Sequence, residues 1–429
     1  MDITFATMLL RNLQILDPAG PLHGKTGDLR IDAQGEITEF GEGLKAREGE
    51  EVHDLEGAYA SPGFTDIGAY LGDPGHEERE DRASLVAQAA AGGYARVAVL
   101  PNTEPVRQSV ADVAYVLRGN GGEAVELLPL AALSHDLEGK DLTEMLILAG
   151  AGAVGFTDGP ARRVSGSLLK RSLEYGRAGD LRLFVAPYDP ALVPEGQMHE
   201  GEVSTRLGLR GIPAMAENIP LKRAVELLEY TGGSLVVHLL STATGVAEVR
   251  RAKALGLNIT ATVGVHNLSF TEKELGGFDP NFKVLPPLRG EADRRALIEG
   301  LRDGTIDAIV SNHVARHGEE KDLEFSYADF GALSLQTAFR QCLSLVEEGL
   351  DLDLIVAKMT TGPRALLGQS PLHLRPRQMV PLSIFRTDGD SVFTETDLRG
   401  KTKNSPLLGK SLPGRIVGTV VAGKFHPVK

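Results

Sequence analysis

Between residues 59 and 367 the sequence alternates eight short apolar or β-branched runs with helical stretches. The runs lie at 60–65, 96–100, 125–130, 153–156, 182–185, 234–239, 258–263 and 308–311. Helical patterns fall between them at 77–91, 110–117, 141–149, 166–176, 221–231, 245–255 and 291–303, with a last pair at 333–348 and 354–366. Strands that alternate with helices build parallel βαβ units. Eight such units in about 300 residues predict an α/β fold, a closed (β/α)8 TIM-like barrel. A doubly wound open sheet is the competing topology, and the number of units favours closure.

The two ends have a different rhythm. Residues 1–58 read as short strands (7–16, 28–31, 36–40) separated by Asp-Pro, Gly and Asp-Ala turns. Residues 368–429 read the same way at 379–386, 391–394 and 416–422. Two β-rich ends flanking a barrel predict one small β-sandwich domain formed by both chain ends. At 429 residues, 42% of them hydrophobic, the chain has material for a sizeable core.

A formal net charge of −13 argues against nucleic acid and against an anionic membrane surface as partners. No apolar run reaches the ~18–20 residues of a membrane span. The opening MDITFATMLLRN carries an early acid and runs into strand-like sequence, unlike a secretory signal. The single cysteine, Cys342, lies in the helical pattern 335–347 and reads as a buried packing residue in a reducing compartment. A cytoplasmic location is the expectation.

In a barrel of this kind, chemistry sits on the residues just after each strand. In order these are Asp66, Gly68, Tyr70 and Asp73; Pro101, Asn102 and Thr103; Ser134 and His135; Thr157 and Asp158; Ala186, Pro187 and Tyr188; His238, Leu239, Leu240 and Ser241; His266 and Asn267; and Ser311, Asn312 and His313. A hydrolytic zinc site needs about three converging His, Asp, Glu or Cys ligands. The candidates are Asp158, His238, His266 and His313. Side chains alternate along a strand, so an inward Leu239 turns His238 outward. That leaves too thin a ligand set, and satisfied strand-end histidines are the commoner outcome. No Gly-x-Ser-x-Gly elbow occurs. The phosphate-loop-like GPLHGKT at 20–26 is one residue short and leads into a strand, not a helix.

Several long stretches resemble one family. SPGFTDIGAYLGDPG, AQAAAGGYARVAVLPNTEPV, STRLGLRGIPAMAE, FKVLPPLRGEADRRAL, DAIVSNHVARHGEEK and NSPLLGKSLPGRIVGTVVAGK resemble dihydroorotases of the longer bacterial type, in the amidohydrolase superfamily. The resemblance spans nearly the whole chain and implies the same barrel with a sandwich of both chain ends. It also implies a site, which this sequence departs from. The motif Asp-x-His-x-His-x-Arg falls on Asp66, Gly68, Tyr70 and Gly72. The bridging metal ligand falls on Asp158, the histidines after strands 5 and 6 on Ala186 and Leu239, and the metal-bound aspartate that acts as base on Asn312. A substrate asparagine falls on Leu285 and a substrate histidine on Arg316, while Asn102 is kept. Asn312 is a poor ligand and no base near neutral pH.

Active relatives use zinc. Here only Asp158 keeps a ligating group, so no cofactor and no catalytic residue are expected. Asn102, Arg316, His266 and His313 are the expected remnants of a substrate pocket, which Tyr70 and Leu239 are expected to fill in part. The resemblance then implies a non-catalytic dihydroorotase-like subunit of pyrimidine biosynthesis. Its partner would be the aspartate carbamoyltransferase catalytic chain, within a large assembly, and a homo-oligomer is expected as well. The alternative is an active cyclic-amide hydrolase with a metal-poor site, built from Asp158, His266, His313 and His317 with Tyr70, Tyr188 and Arg316 binding an anion. A third reading keeps a pocket without turnover, with Asn102 and Arg316 holding a pyrimidine precursor.

Overall fold

The computed structural model describes residues 7–120 and 123–428, so the first six residues of the opening segment lie outside the described part. Eight parallel strands follow one another around a sheet in chain order: Phe64–Ala69, Tyr94–Val99, Glu126–Ala131, Gly155–Phe156, Leu183–Val185, Leu235–Val237, Ile259–Gly264 and Ala308–Val310. Every pairing between neighbours is parallel. The order contains no reversal, which a doubly wound sheet requires. The expected (β/α)8 barrel is therefore the observed one.

Side chains join the last strand to the first. The Ser311 N–H donates to Asp66 Oδ1 and the Ser311 hydroxyl to Asp66 Oδ2, both at 2.6 Å. The Tyr70 N–H adds a bond to the His313 carbonyl at 2.9 Å. Asp66 is completely buried, and that burial pushes its carboxyl above the usual carboxylate range. Ile67, Ala98, Leu100, Leu128, Leu130, Phe184, Val236 and Val310 pack inside the barrel. A larger apolar cluster fills the layer between strands and helices. Cys342 is in that layer, fully buried, with its thiol pushed up to about 12 by burial.

The second domain is a β-sandwich whose sheet draws on both chain ends. Its order runs Lys424–Pro427, Ser411–Val421, Leu382–Val392, Tyr59–Pro62, Met8–Ile15, Thr26–Ile31 and Ile37–Gly41, with Glu51–Asp54 paired to Met8–Ile15. Its core likewise mixes the ends, from Leu10, Leu29 and Ile37 to Leu382, Ile384 and Val420.

One expectation needs correction here. The run at 60–65 is not a single barrel strand. It divides at Gly63, with Tyr59–Pro62 in the end sheet and Phe64–Ala69 in the barrel. A Cβ on Gly63 would lie 2.5 Å from that of Ala95, so only glycine lets the two sheets approach there. The seam is held by the Phe64 N–H donating to Ser383 Oγ at 2.8 Å, and by the rings of Phe64, Phe339 and Phe385 with centroids 4.5–5.6 Å apart. Among the described residues no helix is long and apolar enough to cross a membrane.

Candidate functional site

Gly68, at φ +92°, lies at the end of the first barrel strand, and Tyr70 just beyond it. No side chain leaves position 68. The space is taken instead by His238: a Cβ on Gly68 would lie 2.5 Å from His238 Nε2 and 2.9 Å from its Cε1. His238 therefore points into the barrel, its ring edge-on to Phe184 at 6.2 Å, where the sequence predicted an outward side chain. Leu239 packs inside as well. Both face inward because Leu239 adopts a left-handed backbone, φ 64°, and strict alternation holds only while the chain stays extended. Thr262 Oγ1 fixes this bend, accepting from the Leu239 N–H at 2.9 Å and pairing with His238 Nδ1 at 3.0 Å. Burial pushes His238 down to about 4, so the ring is neutral near pH 7.

Asp158 is committed elsewhere. Its Oδ1 accepts from the N–H groups of Leu133 (3.0 Å) and Ser134 (2.9 Å), and its Oδ2 accepts from the Ser134 hydroxyl at 2.6 Å. The carboxylate thus pins the loop after the third strand to the end of the fourth. Burial nevertheless raises its pKa, because desolvation outweighs those bonds.

His266 and His313 were expected among pocket residues, and the structure puts both elsewhere. His266 sits in the short helix Val265–Ser269, where its Nδ1 meets Gln341 Oε1 at 3.2 Å. Burial lowers it to about 4. His313 is completely buried; its Nδ1 accepts from the Ser334 and Leu335 N–H groups at 3.1 and 3.3 Å. That leaves Nε2 as the donor to Glu80 Oε2 at 3.1 Å. Glu80, absent from the sequence reading, also accepts from Gln88 Nε2 at 2.6 Å and from the Ser84 hydroxyl. His317 is exposed at the start of Gly318–Lys321.

Tyr70, Asn102, Asn312 and Arg316 do come together. With Leu100, Val284, Leu285 and Phe330 they line a cleft of about 140 Å³ at the mouth. Asn102 Nδ2 donates to the Asp158 carbonyl at 3.2 Å, leaving its buried Oδ1 without a partner. Asn312 Nδ2 donates to the Leu285 carbonyl at 3.2 Å. Arg316 is spoken for: its Nε donates to the Phe330 carbonyl at 3.0 Å, and it pairs with Glu320 at 3.4 Å and Asp329 at 3.2 Å. Arg79 lies 2.7 Å from the same Glu320 and 3.4 Å from the Tyr70 hydroxyl. Deeper in, Ala186 and Leu239 face a void of only about 10 Å³, shared with Tyr188, Leu285, Glu217 and Arg289. That is barely room for one water molecule, which needs roughly 10–15 Å³.

These residues do not fit a zinc ion. Gly68, Ala186 and Leu239 carry no donor, Asn312 carries an amide, and Asp158 is held by three donors of its own. Among the described residues no group of three His, Cys, Asp or Glu side chains is placed to hold a metal. The buried polar network at the mouth is structural. Glu217 accepts from Ser241 and Thr242 (backbone distances 3.0–3.2 Å), and Arg289 donates to the Ile212 carbonyl at 2.7 Å and to Ser241 Oγ at 3.2 Å.

Comparison with known proteins gives a consistent frame. A family model described as Dihydro-orotase-like matches residues 58–244. A dihydroorotase from Geobacter sp. (strain M21) is 38% identical over 97% of this chain and 98% of its own length. One from Anaeromyxobacter dehalogenans (strain 2CP-C) is 36% identical over 96% of both chains. Among solved structures, the L-hydantoinase (dihydropyrimidinase) from Arthrobacter aurescens superposes with a TM-score of 0.85 at 23% identity, covering 98% of this chain and 96% of its own. That likeness is one of fold.

Proposed function

We propose the following for this chain, which belongs to the dihydroorotase-like family of amidohydrolases: it is a non-catalytic subunit that supports the assembly of aspartate carbamoyltransferase. The observation that carries the reading is the His238 ring in the space beside Gly68. A ligand position that merely lost its side chain would leave a hole; this one has been repacked. The amide of Asn312 at the base position and the prior engagement of Asp158 and Arg316 support the same reading. A hydrolase needs an activated water, a base and a grip on the substrate. Each of the residues at those positions is missing its group or holds another part of the fold.

The test is co-expression with the carbamoyltransferase catalytic chain of the same source, followed by light scattering on the eluted species. A joint complex is expected. Separate elution at micromolar concentration overturns the reading.

A second reading has its own support. The curated relatives named dihydroorotase match along nearly the full chain, and the cleft lined by Tyr70, Asn102, Asn312 and Arg316 remains open. On this reading the chain is a cyclic-amide hydrolase with altered chemistry. Ring closure of carbamoyl aspartate above background, with stoichiometric zinc by elemental analysis, would establish it in place of the first.

A further inference from the structure

Two loops form one rim of the mouth, residues 272–285 and 318–330. Their inner sides are pinned together by buried lysines. Lys321 Nζ donates to the carbonyls of Pro280 (2.6 Å), Asp329 (2.8 Å) and Gly331 (3.0 Å). Lys283 Nζ donates to the Phe325 carbonyl at 2.8 Å and lies 5.1 Å from the ring centroids of both Phe325 and Phe330. The outer side is different. Phe278 lies beside the buried Phe325, and Leu323 and Tyr327 flank Phe325 two residues away in the chain; the three are 46%, 47% and 74% exposed. The Phe278 and Phe325 centroids are 6.4 Å apart. The same two loops expose the acids Glu274, Glu319, Asp322, Glu324 and Asp329, against one exposed lysine, Lys273.

Large apolar side chains gathered around one point of a surface mark an interaction site, and tyrosine is among the residues that most often anchor one. We propose that this rim docks a protein partner that offers apolar pockets framed by lysine or arginine. The acidic frame selects a basic face. It disfavours a second copy of this chain, since a two-fold contact would set the acids against themselves on chains of net charge −13. The ligand positions below the cleft are repacked by His238 and Leu239, so on the subunit reading no substrate has to pass the rim and it is free to be covered. The inference rests on the reading of the chain as an assembly subunit, and names the face that subunit uses.

The test uses the full chain with the carbamoyltransferase catalytic chain. The variants are Leu323→Ala/Tyr327→Ala, the charge reversal Asp322→Lys/Glu324→Lys, and Tyr230→Ala on the outer helices, where Tyr230 is 77% exposed. The wild type is expected to form the complex, and both rim variants to weaken it at least tenfold with melting temperatures unchanged. Tyr230→Ala should bind as the wild type does. A wild-type complex that the rim variants form equally well overturns the rim and leaves the subunit reading standing. No wild-type complex overturns the subunit reading and the rim with it. A wild-type homodimer abolished by the rim variants overturns the choice of a basic partner.

Discussion

The Nε2 of His238 lies 2.5 Å from where a Cβ on Gly68 would stand. Two positions far apart in the chain share one volume, and only one of them can carry a side chain.

Gly68→Ala is therefore expected to destabilise the fold by about 2 kcal/mol or more. It overpacks the barrel interior and places a Cβ on a left-handed backbone. Unfolding in urea should show a lowered midpoint. His238→Ala in the same chain should recover part of the loss, because neighbouring substitutions that share a volume do not add. Full additivity would separate the two residues.

Asp158→Asn should cost about 1–3 kcal/mol, because the amide oxygen can serve the two backbone N–H groups but the amide nitrogen then faces the Ser134 hydroxyl, whose proton loses its acceptor. Metal content by elemental analysis should be the same before and after. A drop in bound zinc on substitution would make Asp158 a ligand after all.

Acid should weaken the protein through its buried histidines. Burial holds His238 and His266 at about 4 in the folded state, against an ordinary 6.5. Between those values the unfolded chain binds protons that the folded chain does not. Stability thus rises with pH across that window and is lost as pH falls from about 6.5 towards 4. Melting temperatures measured from pH 4 to 8 should trace this slope, and His238→Gln should flatten it. Asp66 and Asp158, raised by burial, slope the other way, so the histidine share is read from the difference between the wild type and His238→Gln. No difference between about pH 4.5 and 6.5 would contradict the burial of that ring.

Lys321→Met should loosen the rim. Three carbonyls lose their shared donor, a loss of roughly 1–3 kcal/mol for each buried acceptor that finds no water. Limited proteolysis should cut within 272–285 or 318–330 in the variant and spare the wild type. Equal protection would show that the loops are held by their apolar contacts alone.

Release of Arg316 gives a sharper test of the cleft. In Glu320→Gln/Asp329→Asn the guanidinium has no carboxylate partner. Carbamoyl aspartate should then raise the melting temperature of the variant while leaving that of the wild type unmoved. An equal shift in both would show that the wild-type guanidinium already accepts an anion.

Most of the architecture was legible in the sequence, because eight apolar runs separated by helical patterns leave a parallel barrel few rivals. Runs such as 308–311 kept their place to within a residue. The division at Gly63 was missed although Pro62-Gly63 punctuates the run 60–65: a Pro-Gly pair marks a break, and only contact with Ala95 and Ser383 shows that the two halves serve two sheets. Empty ligand positions at Gly68, Ala186 and Leu239 were readable once the resemblance supplied the register. The inward turn of His238 was not, since nothing local marks Leu239 for a left-handed backbone. The locking of Arg316 by Asp329 arises from a loop folding back on itself, which no periodicity encodes. Glu80 and Thr262, the partners of His313 and His238, carry no motif of their own.

The end sheet joins Tyr59–Pro62 to Leu382–Val392, and the bond from Phe64 to Ser383 spans 319 residues. During synthesis at roughly 5–20 residues per second, the early strands leave the ribosome on the order of 15 to 60 s before the partner that completes them. For that interval Tyr59–Pro62 offers an unpaired edge to any nascent neighbour. A message truncated before codon 382 would yield a chain whose first-made domain can never be finished, however well the barrel between has formed.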